Sequence, residues 1–421
     1  MNTDFITTLI VTIIVFTAIV LASTSMILLI RSWLGLDGKT IITINDKKKI
    51  EAHKNFSLLN ILSHNQIFIP STCAGKGTCG MCKCKIMNNN EKVLPLEKAL
   101  LSKKELKNGI RLACQVKVKK EISIEIDKRL LDVKRYKGTV LSNNNISPLI
   151  KELILEINDL CPGLNNPGNF IQLEIPTYQN IKFDNFDILE KFKSNWTENK
   201  LLLYESTNDE ETIRAYSIAD INNDNTRLSL NIKLAIPPKD LDVSPGLASS
   251  YLFNLKKEDS IFIQAPFHEL KKPQINNDIC FIAGGVGIVP IRTLIQSITL
   301  SPDNFHKIIL FYGARDINEL IYHTEFCDIA EEYKNFKYVP VLSHNNSNDW
   351  TGLQGMLYDI FYKNFLEKHL NAKELQYYIS GPSIVTDNIQ ILLQNEGVDS
   401  YNINIDNFGS LQKSVDSMKL F

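Results

Sequence analysis

Residues 73–82 read Cys73-Ala-Gly-Lys-Gly-Thr-Cys79-Gly-Met-Cys82, and Cys114 follows after a further 31 residues. The glycines between the cysteines can adopt positive φ, so the backbone can turn tightly and direct N–H groups at sulfur atoms. Eight cysteines in 421 residues are too sparse for a disulfide scaffold, and five of them fall within residues 73–114. The stretch therefore predicts a tight loop whose three thiols, completed by Cys114, form a four-sulfur metal site.

The spacing of these cysteines distinguishes two kinds of metal centre. It resembles the plant-type [2Fe–2S] ferredoxin pattern, with five residues instead of four in the first gap. Zinc sites usually use two C-x₂-C pairs, and this stretch has one. Zinc remains the alternative, but we favour an iron–sulfur cluster, and its predicted ligands are Cys73, Cys79, Cys82 and Cys114. Cys84 would share a strand face with Cys82 and is predicted to be a core residue.

A long apolar segment precedes the cysteines. Residues 5–30 contain no charged side chain, and as a helix they would extend about 39 Å, more than the roughly 30 Å hydrocarbon core of a bilayer. A cleaved signal peptide is the alternative, but the run is too long and no basic residue precedes it. Arg31 and several lysines follow it, so the positive-inside rule places residues 31–421 in the cytoplasm, where thiols stay reduced.

Charge is distributed unevenly along the rest of the chain. Residues 31–135 contain 22 Lys and Arg against 10 Asp and Glu, whereas residues 136–421 contain 24 against 36. The formal net charge of the whole chain is −1, so we expect no nucleic-acid partner. The basic part is either a solvated surface or a contact for anionic lipid, for an acidic partner or for the acidic part of the chain, and the sequence leaves these open.

Residues 136–270 contain several runs of alternating apolar and polar side chains, which indicate a β-rich region. Within it stands Arg214-Ala-Tyr216-Ser217. On a strand, Arg214 and Tyr216 face the same side, so the guanidinium can pair with a pyrophosphate while the ring covers an isoalloxazine, and Ser217 can hydrogen-bond the flavin N5 atom. The four residues alone would favour an exposed arginine and a core tyrosine. Pro245-Gly-Leu-Ala-Ser249 strengthens the flavin interpretation, because a glycine before a helix start provides N–H donors for phosphate.

From residue 271 onward, apolar strand-like runs alternate with helical stretches. The first run leads into Gly284-Gly285-Val-Gly287-Ile-Val-Pro290 and a helix, and this order suits a dinucleotide phosphate. Two more runs end at Tyr312-Gly313-Ala-Arg315 and at Ser380-Gly381-Pro382. Open α/β sheets bind ligands at the carboxyl ends of their strands, so the three loops predict one nucleotide site.

Together, R-x-Y-S, G-x-x-S and G-G-x-G-x-x-P resemble the motifs of the ferredoxin–NADP⁺ reductase superfamily. The resemblance implies a multidomain α+β and α/β fold: a transmembrane anchor in residues 1–35, a β-grasp [2Fe–2S] ferredoxin domain in 36–130, an antiparallel FAD-binding β-barrel in 131–270 and an NADH-binding α/β domain in 271–421. It implies that FAD is held by Arg214, Tyr216 and Ser217, with its pyrophosphate at Gly246, Leu247, Ala248 and Ser249. The implied NADH contacts are Gly284, Gly285, Gly287, Pro290, Tyr312, Gly313, Arg315, Gly381 and Pro382.

Three residues carry the catalytic part of this resemblance. Ser217 would contact the flavin, and Ser380 occupies the place of a cysteine that lies near the nicotinamide in relatives. Because Ser380 replaces that cysteine, we expect less efficient hydride transfer. Phe408 matches the terminal aromatic residue that shields the flavin and contacts it, with Phe421 as the alternative ring.

NADH is the expected electron donor. Asp316 and Glu319 follow Arg315 and would repel the 2′-phosphate of NADPH. NADH delivers two electrons as hydride, whereas a [2Fe–2S] cluster accepts one, and a flavin can connect them because it exchanges either one or two. We therefore expect electrons to pass from NADH through FAD and the cluster to a partner.

The anchor, the cysteine spacing, the flavin motif and Asp406-Asn-Phe408-Gly409 in combination resemble the F subunits of Na⁺-translocating NADH:quinone reductases. That resemblance implies an enzyme with partner membrane subunits, ubiquinone as the eventual acceptor, Na⁺ export and a single-pass location in the bacterial inner membrane. A membrane-tethered NADH reductase that feeds an oxygenase is the alternative enzyme. A tethered iron–sulfur or zinc protein whose nucleotide domain has decayed is the non-enzymatic alternative.

Overall fold

The computed structural model describes residues 3–33, 38–71, 73, 75–87, 92–157, 163–237, 243–268, 270, 272–273, 277–299, 306–344, 350–369 and 371–407. The chain divides into two compact units, of which the first comprises Met1–Ile69 and Cys82–Asp127 and the second comprises Pro70–Met81 and Lys128–Phe421. The predicted flavin-shielding residues Phe408 and Phe421 lie outside the described residues.

The apolar N-terminal segment forms one long helix, α1, over Thr3–Trp33. Its stretch Thr7–Ile30 has a mean hydropathy of 2.6 and is long and apolar enough to cross a membrane. Its interior hydroxyl groups donate to carbonyl oxygens four residues earlier in the helix; these are Thr12, Thr17, Ser23 and Thr24. The hydroxyl hydrogens of these side chains are therefore all used in hydrogen bonds within the helix, as a hydrocarbon environment requires.

The remainder of the first unit is a five-stranded sheet with three short helices. In chain order the elements are β1 (Lys39–Ile44), β2 (Lys48–His53), α2 (Leu58–His64), β3 (Lys83–Ile86), α3 (Pro95–Leu100), α4 (Lys103–Lys107), β4 (Ile110–Leu112) and β5 (Ile122–Glu125). The sheet order is β2-β1-β5-β3-β4, with β1 and β5 parallel. Ile42 and Ile44 of β1 are buried together with Ile122 and Ile124 of β5, as the alternating pattern predicts.

A buried ion pair holds α3 to β4. Glu97 in α3 is fully buried, and its carboxylate accepts hydrogen bonds from Arg111 Nε at 2.8 Å and Nη2 at 2.7 Å. The backbone N–H groups of Leu94 and Leu112 donate to the same carboxylate at 3.0 Å each. Burial opposes ionisation, but these donors hold the pKa of Glu97 below its ordinary value. The pair fixes the short strand that leads into Cys114.

The second unit contains a closed six-stranded barrel. In chain order its elements are β6 (Lys134–Ser147), β7 (Ile150–Ile157), β8 (Asn169–Ile175), β9 (Tyr178–Lys182), α5 (Glu190–Glu198), β10 (Glu205–Asn208), β11 (Thr212–Ile221), β12 (Arg227–Lys233), α6 (Leu247–Asn254) and β13 (Ser260–His268). The strand order around the barrel is β11-β12-β7-β6-β13-β8, and β9 pairs with β10 separately. Neighbouring strands of the barrel are antiparallel, so the predicted antiparallel barrel is confirmed.

A six-stranded sheet completes the second unit. Its elements are β14 (Ile279–Gly284), α7 (Ile288–Thr299), β15 (Ile308–Ala314), α8 (His323–Glu332), β16 (Phe336–Leu342), β17 (Leu353–Gln354), α9 (Leu357–Asn364), β18 (Gln376–Gly381), α10 (Ser383–Asn395) and β19 (Ile403–Asn407). The order is β17-β16-β15-β14-β18-β19, and the neighbouring strands are parallel. Every residue of β14 is buried, as expected for a central strand with helices over both faces. The predicted α/β domain is confirmed.

Replacing Glu97 with Gln should destabilise the first unit by about 3–5 kcal/mol, because it leaves a buried guanidinium without its carboxylate. Glu51→Gln is the matched control: its carboxylate pairs with Lys39 at 2.9 Å, but both side chains are exposed, so we expect no measurable loss. Urea unfolding followed by far-ultraviolet circular dichroism would compare the two variants. Equal losses would contradict the role assigned to burial.

Candidate cofactor and nucleotide sites

The predicted cysteine loop turns at three glycines. Gly75, Gly77 and Gly80 have φ values of +81°, +78° and +71°, which favour glycine. The Cys79 thiol donates to the Cys73 sulfur across 3.3 Å. This bond outweighs burial, and with neighbouring backbone N–H donors it lowers the pKa of Cys73 to about 4. Cys73 therefore favours the thiolate, the form that ligates iron, so the donor chemistry fits a [2Fe–2S] cluster.

Cys82 and Cys114 belong to the first unit, and its backbone brings them together. The N–H of Ala113 donates to the carbonyl oxygen of Cys82 at 2.8 Å. Cys84 lies on β3 in the core, and burial raises its pKa to about 12, so it stays a thiol. Among the described residues, no three or more Cys, His, Asp or Glu side chains are grouped as metal ligands, and the four-cysteine set stays a prediction.

The segment before the cysteine loop is bonded to barrel strand β8, and both belong to the second unit. The backbone N–H of Ser71 donates to Gln172 Oε1 at 2.7 Å, and both residues are buried. Gln172 pairs in register with Ala215, the residue between Arg214 and Tyr216. Gln172 was not predicted from the sequence, because a single polar residue in an alternating strand is typical of a solvent-facing position.

The R-x-Y-S motif lies on β11. Arg214 Nη1 donates to Thr212 Oγ1 at 2.7 Å and to the carbonyl oxygen of Ile213 at 2.8 Å, so the guanidinium is held beside its own strand. Tyr216 packs against the barrel core, and burial raises its pKa, so it remains a neutral phenol. Arg214, Tyr216 and Ser217 each keep part of their surface exposed, which leaves them accessible to a flavin.

The G-x-x-S turn begins α6. A Cβ on Gly246 would lie 2.6 Å from the Ala235 Cβ and 2.9 Å from Ser249 Oγ, so a side chain does not fit there. Ser249 Oγ accepts from the Ala235 N–H at 3.1 Å and donates to the Gly246 carbonyl oxygen at 2.9 Å. The hydroxyl therefore closes the turn, and the start of α6, at Leu247 and Ala248, presents backbone N–H groups that suit a phosphate.

The opposite end of α6 is held by two barrel side chains that were not predicted from the sequence. Lys151 Nζ donates to the Phe253 carbonyl oxygen at 3.0 Å, and Asn143 Nδ2 donates to the carbonyl oxygens of Leu252 and Leu255 at 2.9 and 2.8 Å. Lys151 is buried, and burial lowers its pKa to about 8. A cation at a helix C-terminus stabilises the helix dipole, whose positive end lies at the predicted phosphate position.

Two of the predicted nucleotide loops are in direct backbone contact. A Cβ on Gly287 would overlap the carbonyl oxygen of Ser380, and a Cβ on Gly284 would lie 3.2 Å from Pro382 Cδ. Gly285 has a φ of +55°, which an L side chain rarely adopts. The glycines are therefore required for the ends of β14 and β18 to meet, and the glycine-rich turn fits a dinucleotide phosphate.

The predicted contact residues at the end of β15 differ in how accessible their side chains are. Tyr312 is fully buried, and its hydroxyl donates to the Glu319 carbonyl oxygen at 3.2 Å, so its side chain is part of the core. Gly313 packs against α9, and Arg315 is exposed. Pro290 lies in the first turn of α7. Of these predicted contacts, Arg315 therefore offers the most accessible side chain.

A lysine at the end of barrel strand β12 reaches the glycine-rich turn. Lys233 Nζ pairs with Glu319 at 2.8 Å and lies 3.8 Å from the position of a Cβ on Gly285. Glu319 is buried, so the carboxylate that we expected to repel a 2′-phosphate is already partnered. Lys233 was not predicted from the sequence, because a lysine at a strand end is typical of a solvated position.

Ser380 and Asp406 form a buried pair at the ends of β18 and β19. They are opposite each other in register, and Ser380 Oγ donates to Asp406 Oδ2 at 3.3 Å. Burial raises the pKa of Asp406 to about 7, although the Ser380 hydroxyl acts in the other direction. The sequence places Asp406 in a motif but does not by itself indicate this role.

Comparison with known proteins agrees with this geometry. A family model described as "2Fe-2S iron-sulfur cluster binding domain" matches residues 42–119, and one described as "Oxidoreductase NAD-binding domain" matches residues 281–390. The fold is similar to that of the Amycolatopsis cytochrome P450 reductase GcoB, with a TM-score of 0.60 and 18% identity over 88% of this chain and 98% of that one. It is also similar to the ferredoxin reductase in carbazole 1,9a-dioxygenase, with a TM-score of 0.57 and 20% identity over 88% and 99%. The matched domains and the fold thus define an NAD-dependent iron–sulfur oxidoreductase that contains an antiparallel β-barrel.

Similarity to curated proteins shows the family to which the chain belongs. The chain is 35% identical to the F subunit of the Na⁺-translocating NADH-quinone reductase of Yersinia enterocolitica over 401 residues, and 35% identical to that of Neisseria meningitidis over 399 residues. Both alignments cover 94% of this chain and 98% of the relative. The chain belongs to this family of F subunits, which favours the NADH-quinone reductase over the oxygenase reductase. The predicted [2Fe–2S] cluster and NADH are confirmed by the matched domains, and the family with its barrel indicates FAD.

Replacing Asp406 with Asn should make the stability of the second unit less dependent on pH. An ordinary Asp has a pKa of 3.8 and the folded one about 7, so the unfolded chain ionises first as pH rises and the folded state loses stability between these values. Each pKa unit corresponds to about 1.4 kcal/mol, which limits the penalty above pH 7 to about 4 kcal/mol. The asparagine variant should therefore gain melting temperature relative to the parent at pH 8 and not at pH 4. An equal difference at both pH values would contradict the assignment.

Proposed function

We propose that this chain is the electron-entry subunit of a Na⁺-translocating NADH:ubiquinone oxidoreductase, with electrons leaving through the cluster to partner subunits. When bound, NADH supplies hydride, FAD exchanges one or two electrons, and the [2Fe–2S] cluster carries one at a time. The observation that carries the proposal is the similarity to the F subunits, which covers 94% of this chain and 98% of the relative. We assign residues 1–35, 36–130, 131–270 and 271–421 to the anchor, cluster, flavin and nucleotide parts in that order.

On the nucleotide side, backbone N–H groups and one lysine side chain would bind the phosphates of NADH. The glycine turn that begins at Gly284 lets the pyrophosphate approach backbone N–H groups. Lys233 would balance the phosphate charge, and Glu319 holds its ammonium beside the turn. Ser380 is buried at the end of β18, near which the nicotinamide would lie, and its hydroxyl donates to Asp406.

On the flavin side, residues of β11 and α6 would bind different parts of FAD. Arg214 and the N-terminus of α6 would bind the pyrophosphate, and Tyr216 would cover the ring system while Ser217 hydrogen-bonds its edge. Lys151, at the other end of α6, supports this role by fixing the helix. Phe408 retains its proposed role as the shielding ring.

On the cluster side, the four predicted thiolates would hold iron. Cys73 has the lowered pKa that this requires, and the Ser71–Gln172 hydrogen bond ties the loop carrying Cys73 and Cys79 to the strand beside the flavin motif. The helix α1 would anchor the chain in the bacterial inner membrane as a single span, with the remainder cytoplasmic. Partner membrane subunits would then reduce ubiquinone and export Na⁺.

The proposal is tested on the full chain, produced with ample iron and riboflavin and purified in detergent. Its visible spectrum should show flavin and [2Fe–2S] bands, and NADH should bleach both. Cys114→Ala should remove the cluster bands and leave the flavin reducible, whereas Cys84→Ala, at a core position, should keep them. A colourless protein, or loss of flavin reduction in Cys114→Ala, would contradict the proposal.

Lys233→Met should raise the KM for NADH by about 10- to 100-fold, because a charge-assisted hydrogen bond to phosphate contributes about 1.5–3 kcal/mol. Lys337→Met, an exposed lysine on β16 of the nucleotide sheet, is the matched control and should leave KM unchanged. Steady-state reduction of an artificial acceptor measures both. A KM in Lys233→Met equal to that of the control would remove Lys233 from the site.

A further inference from the structure

The edge of the first unit where the chain arrives from α1 is rich in lysine. We call this group the proximal lysines; they are Lys39, Lys54, Lys117, Lys119 and Lys120. All except Lys54, which is half-buried, are exposed. Residues 39, 51–56 and 117–121 contain two carboxylates: Glu51, paired with Lys39 at 2.9 Å, and Glu121, which is exposed. These segments therefore hold more basic than acidic side chains, and an exposed pair such as Lys39–Glu51 contributes little.

Backbone pairing brings the proximal lysines together. The Lys54 N–H donates to the Gly38 carbonyl oxygen at 3.0 Å, and the Asn55 N–H donates to the Val118 carbonyl oxygen at 2.7 Å. Lys54 Nζ lies 3.1 Å from the position of a Cβ on Gly38, so its ammonium group lies over the residue that precedes β1. The parallel pairing of β1 with β5 brings Lys120, which shortly precedes β5, to the level at which β1 starts.

An exposed aromatic ring adds an apolar element to the same edge. Phe56 is 55% exposed, and its carbonyl oxygen accepts from the Val118 N–H at 3.0 Å, which holds it between the lysines of the two segments. A large apolar side chain flanked by lysines is the composition of surfaces that lie in the headgroup region of a bilayer.

The length of the chain keeps this edge near the end of α1. Trp33 ends the helix and Gly38 directly precedes β1, so four residues separate them, and the five Cα–Cα steps span at most about 18 Å. If α1 crosses a membrane, the proximal lysines are confined beside its surface, which raises their effective concentration at the headgroups. Anionic headgroups attract basic side chains within a Debye length of about 8 Å.

We propose that the proximal lysines and Phe56 bind anionic phospholipid headgroups of the leaflet at which α1 ends, and so hold the cluster-carrying unit on the membrane surface. The inference rests on the membrane anchor of the proposed function. Lipid is favoured over an acidic protein because the short connection makes the membrane a permanent neighbour of this edge, and because Phe56 suits a headgroup layer.

The test uses the full chain in nanodiscs of phosphatidylcholine, with or without phosphatidylglycerol. An amine-reactive reagent and mass spectrometry measure the labelling rate of each lysine. We expect the proximal lysines to react about fivefold more slowly in the anionic discs, with the protection lost at high salt. Lys47, Lys48 and Lys49, at the other end of β1 about 17 Å away, are internal controls and should react equally in both discs.

A substitution gives an independent measurement. The emission that Phe56→Trp adds to that of the parent chain should be blue-shifted only with anionic discs, and this shift should disappear when Lys54, Lys117, Lys119 and Lys120 are all changed to Gln. The same change at Lys47, Lys48, Lys49 and Lys104 is the matched control and should leave the shift in place.

The possible outcomes distinguish a failure of the proposed lipid contact from a failure of the proposed membrane anchor. Chain that stays in the discs but labels equally in both lipids would overturn this inference and leave the anchor intact. Protection that requires the other subunits and appears equally in neutral discs would assign the edge to a protein and overturn it as well. Chain that does not remain with the discs would overturn the anchor and, with it, the lipid contact.

Discussion

The contact between the glycine-rich turn and the end of β18 is the constraint on which the nucleotide site depends. A side chain at Gly287 would overlap the Ser380 carbonyl oxygen, so the two strand ends meet only if this position has no Cβ. Their contact brings the N-terminus of α7 beside Ser380, which in turn lies against Asp406 on the next strand. A side chain at Gly287 would therefore displace both the turn proposed to bind phosphate and the hydroxyl proposed to lie near the nicotinamide.

The parts of this molecule that sequence can predict are those whose geometry is local. The glycines of the cysteine loop and of the nucleotide turn indicate positive φ or close backbone approach, and both are found. Alternating runs predict the β-rich region, and strands separated by helices predict the α/β domain, whereas the antiparallel barrel is implied by the resemblance. Tyr312 shows the limit of motif reasoning, since the motif is present at the strand end but the side chain belongs to the core.

Gln172, Lys233 and Asp406 could not be predicted, because each acquires its role from an element distant in sequence. The sequence pattern predicts that Gln172 faces solvent on β8, but the backbone of Ser71 donates to its side chain. It likewise predicts a solvated Lys233 at a strand end, but Glu319 pairs with it. No local pattern distinguishes such residues from ordinary polar positions, because the partner is supplied by tertiary packing. Two cysteines from one stretch of chain illustrate the same point: hydrogen bonds lower the pKa of Cys73 to about 4, while burial raises that of Cys84 to about 12.

Two ion pairs with similar distances serve different purposes because their surroundings differ. Glu97 and Arg111 are both buried, and the carboxylate also binds two backbone N–H groups, so the pair is fixed. The ammonium of Lys233 is partly exposed and lies beside a turn that suits phosphate, so a nucleotide can share it with Glu319 without breaking any backbone contact. Binding a phosphate to a lysine that a buried carboxylate already holds in place costs less free energy than binding it to a mobile lysine. The side-chain entropy of the held lysine has already been lost on folding. In the proposed site, the Lys233–Glu319 pair therefore acts to preorganise a phosphate-binding lysine more than to stabilise the fold.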